Sequence, residues 1–181
     1  MIRYNFGCGP KKINEYVNVD ALYDADIKWD LTDLPYKFAK SDSADEIVSI
    51  EVVEHIDFKM ILGVLREWYR ILKPGGILHI QVPDCGKMME YYVNKQVCEC
   101  VPHKDDTGKF SADKNCQYCG GNAIVNPTRW LYAFTGAQKH PFDYHRNIFT
   151  VDIMRNVIEK CGFVNIKFSQ DKNKIKVYAT K

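Results

Sequence analysis

Five short apolar runs in the first half of the chain each end on a glycine or a carboxylate. Residues 2–6 stop at Gly7, 17–20 end in Asp20, 26–31 surround Asp30, 47–50 stop at Glu51, and 77–82 lead through Pro83 to Asp84. Each run has the length of a strand, and the β-branched run Ile47-Val48-Ser49-Ile50 suits one covered on both faces. Between the last two runs, Phe58, Ile61, Leu62, Leu65, Tyr69 and Leu72 recur at three- and four-residue steps, the stripe of an amphipathic helix. Lys73-Pro74-Gly75-Gly76 ends that helix, since proline cannot continue it and glycine takes the left-handed cap. This alternation predicts a parallel sheet with helices on its faces. In such sheets ligands sit outside the carboxyl ends of the strands, where strand order reverses. The glycine and the carboxylates collect at those ends.

The second half is less regular. Residues 88–93 read as a helix and 98–126 as a polar loop. Asn126-Pro127 reads as the start of a short helix over 128–134, with an asparagine cap and proline at the first position. Residues 140–147 form a loop rich in His, Asp and Tyr. A short strand at 148–149, a helix over 152–161 closed by Gly162, and strands at 164–168 and 174–179 complete the chain. The last two pair as an antiparallel hairpin through the turn at 171–173. At 181 residues the chain fits a single domain, with 85–147 as an insertion.

Gly7 and Gly9 form a G-x-G turn at the end of the first strand, where the lack of a Cβ permits sharp turning and close approach to a ligand. A carboxylate ending the next strand suits ribose hydroxyls. A dinucleotide site would require a third glycine where Lys12 stands, and an acidic residue about 20 positions further on. Asp20 instead follows Gly9 by eleven residues. A nucleoside without phosphates fits this spacing better, because it needs no long phosphate-cradling helix.

Phe6-Gly7-Cys8-Gly9, Asn18-Val19-Asp20, Asp30-Leu31, Val52-Val53-Glu54-His55-Ile56 and Leu72-Lys73-Pro74-Gly75-Gly76-Ile77-Leu78 together resemble the class I S-adenosylmethionine-dependent methyltransferases. The resemblance spans about residues 2–84, and Gly162-Phe163 with the final hairpin matches the family's ending. It implies an α/β fold: a Rossmann-like, seven-stranded, mostly parallel sheet with a terminal antiparallel hairpin and, here, a cysteine-bearing insertion after the fifth strand. It also implies S-adenosylmethionine as cofactor. The cofactor set would be Phe6, Gly7, Cys8 and Gly9 at the methionine portion, Asp20 at the ribose, Asp30 and Leu31 around the adenine, and Glu51 and Val52 alongside. Two features depart from the family: Asn5 stands where an acidic residue is common, and the first connection is short.

Methyl transfer is an in-line displacement, so the protein's main task is alignment. A general base is required only where the acceptor must lose a proton. His55, His145 and Tyr144 are the candidate catalytic groups, with His140 and Asp143 nearby in sequence; a histidine titrates in the useful range. The bland reading of His55 is a helix-start residue bonded to backbone. Cys98, Cys100, Cys116 and Cys119 are spaced as two close pairs suited to a tetrahedral structural zinc ion, and also as four unconnected thiols. With scattered basic residues and a net charge of +2, nucleic acid and anionic membranes are disfavoured as partners. A small-molecule or saccharide acceptor fits the aromatic residues at 130–144, most of which suit an ordinary core better. The start of the chain lacks the pattern of a signal peptide, and a cytoplasmic location is expected. A second reading is a non-catalytic module of this fold whose zinc loop holds a protein partner; a third is a dinucleotide oxidoreductase.

Overall fold

A computed structural model describes residues 1–94, 134–139, 142–171 and 173–181. In it the chain divides into two compact units, residues 1–84 with 145–181, and residues 85–144. The first unit holds seven strands: β1 (Arg3–Phe6), β2 (Val17–Asp20), β3 (Ile27–Lys28), β4 (Ala44–Ile50), β5 (Leu72–Pro83), β6 (Val164–Asp171) and β7 (Lys174–Thr180). They form one sheet in the order β3-β2-β1-β4-β5-β7-β6. The pairs from β3 to β5 are parallel, and β7 is antiparallel to both β5 and β6. This is the expected mostly parallel sheet closed by a hairpin. β1 and β4 are neighbours whose chains leave in opposite directions along the sheet, so the strand order reverses between them.

Helices α1 (Ile61–Ile71) and α3 (Val151–Lys160) belong to this unit; α2 (Cys85–Asn94) belongs to the second. The strand register shows which sheet face the two helices cover. Phe6 pairs with Val19, Tyr4 with Ile47, Ile47 with Leu78, and Ile80 with Val177. All of these share one core with Ile61, Val64, Leu65, Trp68 and Ile71 of α1 and Met154 and Ile158 of α3. Each such side chain, once fully buried, contributes about 1.5–3 kcal/mol. The opposite face carries Asn5, Glu46, Val48, His79 and Tyr178, none of them in that core. Helices were expected on both faces; within the first unit they pack on one.

Two connections that commonly hold a helix do without. The turn between β1 and β2 closes on Asn18, whose Oδ1 accepts from Ile13 N at 2.8 Å and whose Nδ2 donates to Ile13 O at 3.2 Å and Tyr16 O at 2.9 Å. Asp26 then accepts from Asn18 N and Nδ2. After β3, an aromatic loop does the covering that a helix would do. Tyr36 stacks on Phe38 and meets Phe6 edge-on, Trp29 packs on Phe38 at 5.4 Å, and Trp68 Nε1 donates to Tyr36 Oη at 3.1 Å.

Glu67 on α1 fixes this loop. Buried to 7 % exposure, it accepts from Tyr36 N at 2.6 Å and from Arg70 Nε and Nη2 at 2.8 and 2.7 Å. Burial pushes its carboxyl up, but the Arg70 hydrogen bonds, the Tyr36 N–H and the Arg70 charge outweigh it and leave the group below its ordinary value. A depressed carboxylate stabilises the fold above its unfolded value, and that stability is lost as pH falls through the lower folded value. Glu67→Gln is therefore expected to cost about 1–3 kcal/mol at neutral pH. It should also flatten the loss of stability below about pH 4.3, the ordinary glutamate value. Urea unfolding across that range measures both.

Several boundaries differ from the sequence expectation. α1 begins at Ile61, leaving Phe58 exposed, because the preceding residues turn on Asp57, which accepts from Lys59 N and Met60 N. β5 starts at Leu72 rather than at residue 77. Ala44 pairs with Leu72 and Glu46 with Ile77, so Lys73-Pro74-Gly75-Gly76 bulges from the strand, tied to the chain end through Gly75 N to Lys181 O and Lys181 N to Gly76 O. β3 is only two residues long. Ile148-Phe149 is irregular: just before it, the N–H groups of Arg146 and Asn147 go to Glu54 O instead of a ladder. No described helix is long and apolar enough to cross a membrane.

Candidate functional site

The residues after β1, β2 and β4 meet where the strand order reverses. Gly7 has φ +69°, and its N–H and that of Cys8 both donate to Val19 O, at 2.8 and 3.2 Å. A Cβ on Gly7 would lie 2.4 Å from Cγ2 of Val52. The glycine turn is thus pressed directly against the segment that follows β4. Gly9 differs: its φ is +54°, but a Cβ there would meet open space.

Asp20 closes the turn from the side. One carboxylate oxygen accepts from Gly9 N at 2.8 Å, and the other from Leu22 N and Tyr23 N at 2.8 and 2.9 Å. A carboxylate offers about four acceptor sites, so three backbone donors leave capacity for a hydroxyl. Asp20 therefore shapes the glycine turn and keeps acceptor capacity at the end of β2. Phe6 is a fully buried core residue and Cys8 is a buried free thiol. Burial, then the charge of Asp20, raises the Cys8 thiol's pKa.

Asn5 bonds to the neighbouring strand. It is buried, and its amide donates to Asn18 Oδ1 at 2.9 Å across the β1–β2 pair, so it supports the hub that closes the first connection. Asp30 commits one oxygen to Thr32 N and Oγ1 at 2.8 and 2.7 Å, a local turn cap. Leu31 packs its side chain into the core, and its carbonyl accepts from Tyr36 Oη.

Glu51, the first residue after β4, holds φ +57°, a conformation that costs a non-glycine residue about 1–2 kcal/mol. It is fixed there by Glu51 N to Gln81 O at 2.9 Å and by an ion pair with Lys174. The next turn is a 3-10 helix over Val53–His55, and it brings together groups that lie far apart in sequence. Arg146 N and Asn147 N donate to Glu54 O at 2.7 and 3.1 Å, and the Asn147 amide donates to Ile56 O. These bonds dock the segment 145–147 on the turn and set the His145 ring against that of His55, with centroids 4.8 Å apart and nearly perpendicular planes.

Glu54 lies within 4.8 Å of both imidazoles' ligand nitrogens and is buried to 1 % exposure. Neither carboxylate oxygen receives a hydrogen bond from another described residue, and His55 Nε2 is 4.0 Å away, beyond hydrogen-bond reach. Burial, then the charge of Glu51, raises its pKa well above the ordinary value. The fold brings together His55 and His145, both expected from sequence as candidate catalytic groups, and adds Glu54, which is not among those candidates. The signal for it was an acidic residue inside an otherwise apolar run. Tyr144 belongs to the second unit, where it is exposed. Cys98, Cys100, Cys116 and Cys119, together with His140, lie outside the described residues.

A family model described as a methyltransferase domain matches residues 15–80. Solved structures share the fold across nearly the whole chain. One is an S-adenosylmethionine-dependent methyltransferase from Thermotoga maritima at 16% identity and TM-score 0.57, covering 99% of this chain and 82% of that one. Another, from Archaeoglobus fulgidus, has 13% identity and TM-score 0.59 over 99% of this chain and 85% of that one. A third is phosphoethanolamine N-methyltransferase 2 from Haemonchus contortus in complex with S-adenosyl-L-methionine, at 13% identity and TM-score 0.56 over 100% of this chain and 48% of that one. No curated protein matches. The matched segment is thus similar to a methyltransferase domain, and the solved structures share the expected fold.

Proposed function

We propose that this protein transfers a methyl group from S-adenosylmethionine to a small-molecule or sugar-like acceptor. The observation that carries the reading is the turn after β1. Gly7 is locked against Val52, Gly9 faces open space, and Asp20 holds the turn while keeping acceptor capacity. That arrangement suits a nucleoside lying across the ends of β1 and β2, and the spacing makes no provision for a pyrophosphate. The match of a methyltransferase-domain model to residues 15–80 supports the same cofactor. In this reading Glu51 and Val52 flank the cofactor after β4, Asp30 and Leu31 bound its adenine end, and residues 85–147 serve the acceptor.

The cofactor supplies an electrophilic methyl carbon, and the protein holds nucleophile, methyl and sulfur in line. His55 lies in the turn after Glu51 with the His145 ring against it, and an acceptor hydroxyl or ammonium placed beside them would give up its proton there.

Calorimetry with S-adenosylmethionine, S-adenosylhomocysteine and NAD tests this. Both sulfur nucleosides are expected to bind and NAD is not. Binding of NAD alone would point to an oxidoreductase, and binding of none of the three to a non-catalytic module. A panel of acceptors read out by released S-adenosylhomocysteine then identifies the substrate.

A further inference from the structure

Glu54, His55 and His145 each present one potential ligand atom, all within 4.8 Å of one another. Two ligand atoms each about 2.1 Å from a tetrahedral ion stand about 3.4 Å apart, so the widest pair has to close by up to about 1.4 Å. Side-chain rotation supplies that. The carboxylate is the second, independent observation. It is buried to 1 % exposure, has one oxygen 4.0 Å from His55 Nε2, and accepts no hydrogen bond from another described residue. A buried carboxylate without a partner costs several kcal/mol, and no lysine or arginine forms an ion pair with Glu54 among the described residues. Lys174 is paired with Glu51 instead. The backbone also holds the three donors in place: Arg146 N and Asn147 N are bonded to Glu54 O itself, so His145 and Glu54 cannot drift apart without breaking that docking.

We propose that Glu54, His55 and His145 form a binding site for one divalent transition-metal ion. Two imidazoles and one carboxylate are a donor set for Zn²⁺, Fe²⁺, Co²⁺ or Mn²⁺; the absence of thiolates disfavours Cu⁺, and the nitrogen donors disfavour Ca²⁺ and Mg²⁺. Three protein ligands leave further coordination positions for water or an oxygen of another molecule. Resting on the methyltransferase reading above, this favours an acceptor whose reacting atom is a hydroxyl oxygen, since coordination lowers the pKa of such a group.

The test uses Mn²⁺ as probe, because thiolates discriminate against it and the cysteines therefore do not compete. Wild-type protein, freed of metal with a chelator, is titrated with Mn²⁺ and the free ion is followed by electron paramagnetic resonance. One ion per chain is expected to bind. In His145→Ala and Glu54→Gln the affinity should fall by about tenfold or more, while Cys116→Ser/Cys119→Ser should bind as the wild type does. Far-UV circular dichroism checks folding, and His55→Asn replaces His145→Ala if the latter does not fold. Wild-type protein that binds no Mn²⁺, folded histidine variants that bind it unchanged, or loss of binding in the cysteine variant would each overturn the site. S-adenosylmethionine binding, measured in the metal-free protein, tests the cofactor reading separately.

Discussion

Gly7→Ala is expected to destabilise the protein by about 2–4 kcal/mol and to abolish measurable S-adenosylmethionine binding. Two costs add. The first is backbone strain, because φ +69° lies in the left-handed region, which costs an alanine about 1 kcal/mol. The second is steric. The new methyl would sit 2.4 and 2.8 Å from the two γ-carbons of Val52, too close for either branch of the valine to rotate clear, so the β1 turn and the segment after β4 must separate. Gly9→Ala carries the first cost without the second, since nothing lies within 4 Å of its Cβ position, and about 1 kcal/mol is expected. Urea unfolding orders the two variants. Val52→Ala in the Gly7→Ala background should recover part of the lost stability, giving a favourable coupling of about 1 kcal/mol or more in a double-mutant cycle. Additive effects would show that Val52 is not what the glycine makes room for.

The pressing of Val52 on Gly7 also explains what could be read from sequence and what could not. The strand ends were legible because backbone chemistry marks them locally. Gly7 must turn, Asp20 accepts from residues within eleven positions of itself, and the stripe from Ile61 to Tyr69 repeats at helical spacing. The position of Asn5 was visible, but its partner was not. Whether a buried amide serves a ligand or a neighbouring strand depends on the register that sets it opposite Asn18. The same holds for the residues after β4. Histidines at 55 and 145 were each suggestive, yet their meeting depends on two backbone hydrogen bonds from 146 and 147 to Glu54 O, which no periodicity encodes. Phe58 shows the opposite failure. It fits the helical stripe, but Asp57 draws the local N–H groups into a turn and the helix starts after it. That both helices of the first unit share one sheet face was hidden too, because strands 47–50 and 77–82 are apolar enough for two covered faces, while the β1–β2 connection closes on Asn18 without a helix.

Asp20→Ala is expected to weaken S-adenosylmethionine binding by about a hundredfold or more, about 2.7 kcal/mol, and to lower stability by about 2 kcal/mol. The alanine removes the acceptor for three backbone donors at once, Gly9 N, Leu22 N and Tyr23 N, so the turn and the ribose contact are lost together. Asp20→Asn separates the two roles. An asparagine orients its single oxygen toward the side with two donors, Leu22 N and Tyr23 N, which turns its NH₂ group toward Gly9 N. The loop after β2 then stays in place, while the bond holding the glycine turn is replaced by two donors facing each other. Stability is expected to fall by less than in the alanine variant, yet cofactor affinity should drop by about tenfold or more, because a ribose hydroxyl bonded to an amide loses the charge-assisted part of its interaction. Calorimetry for affinity and urea unfolding for stability, run on the same preparations, resolve the pair. If Asp20→Asn binds S-adenosylmethionine as tightly as the wild type, the carboxylate is a brace for the turn alone and the ribose is held elsewhere.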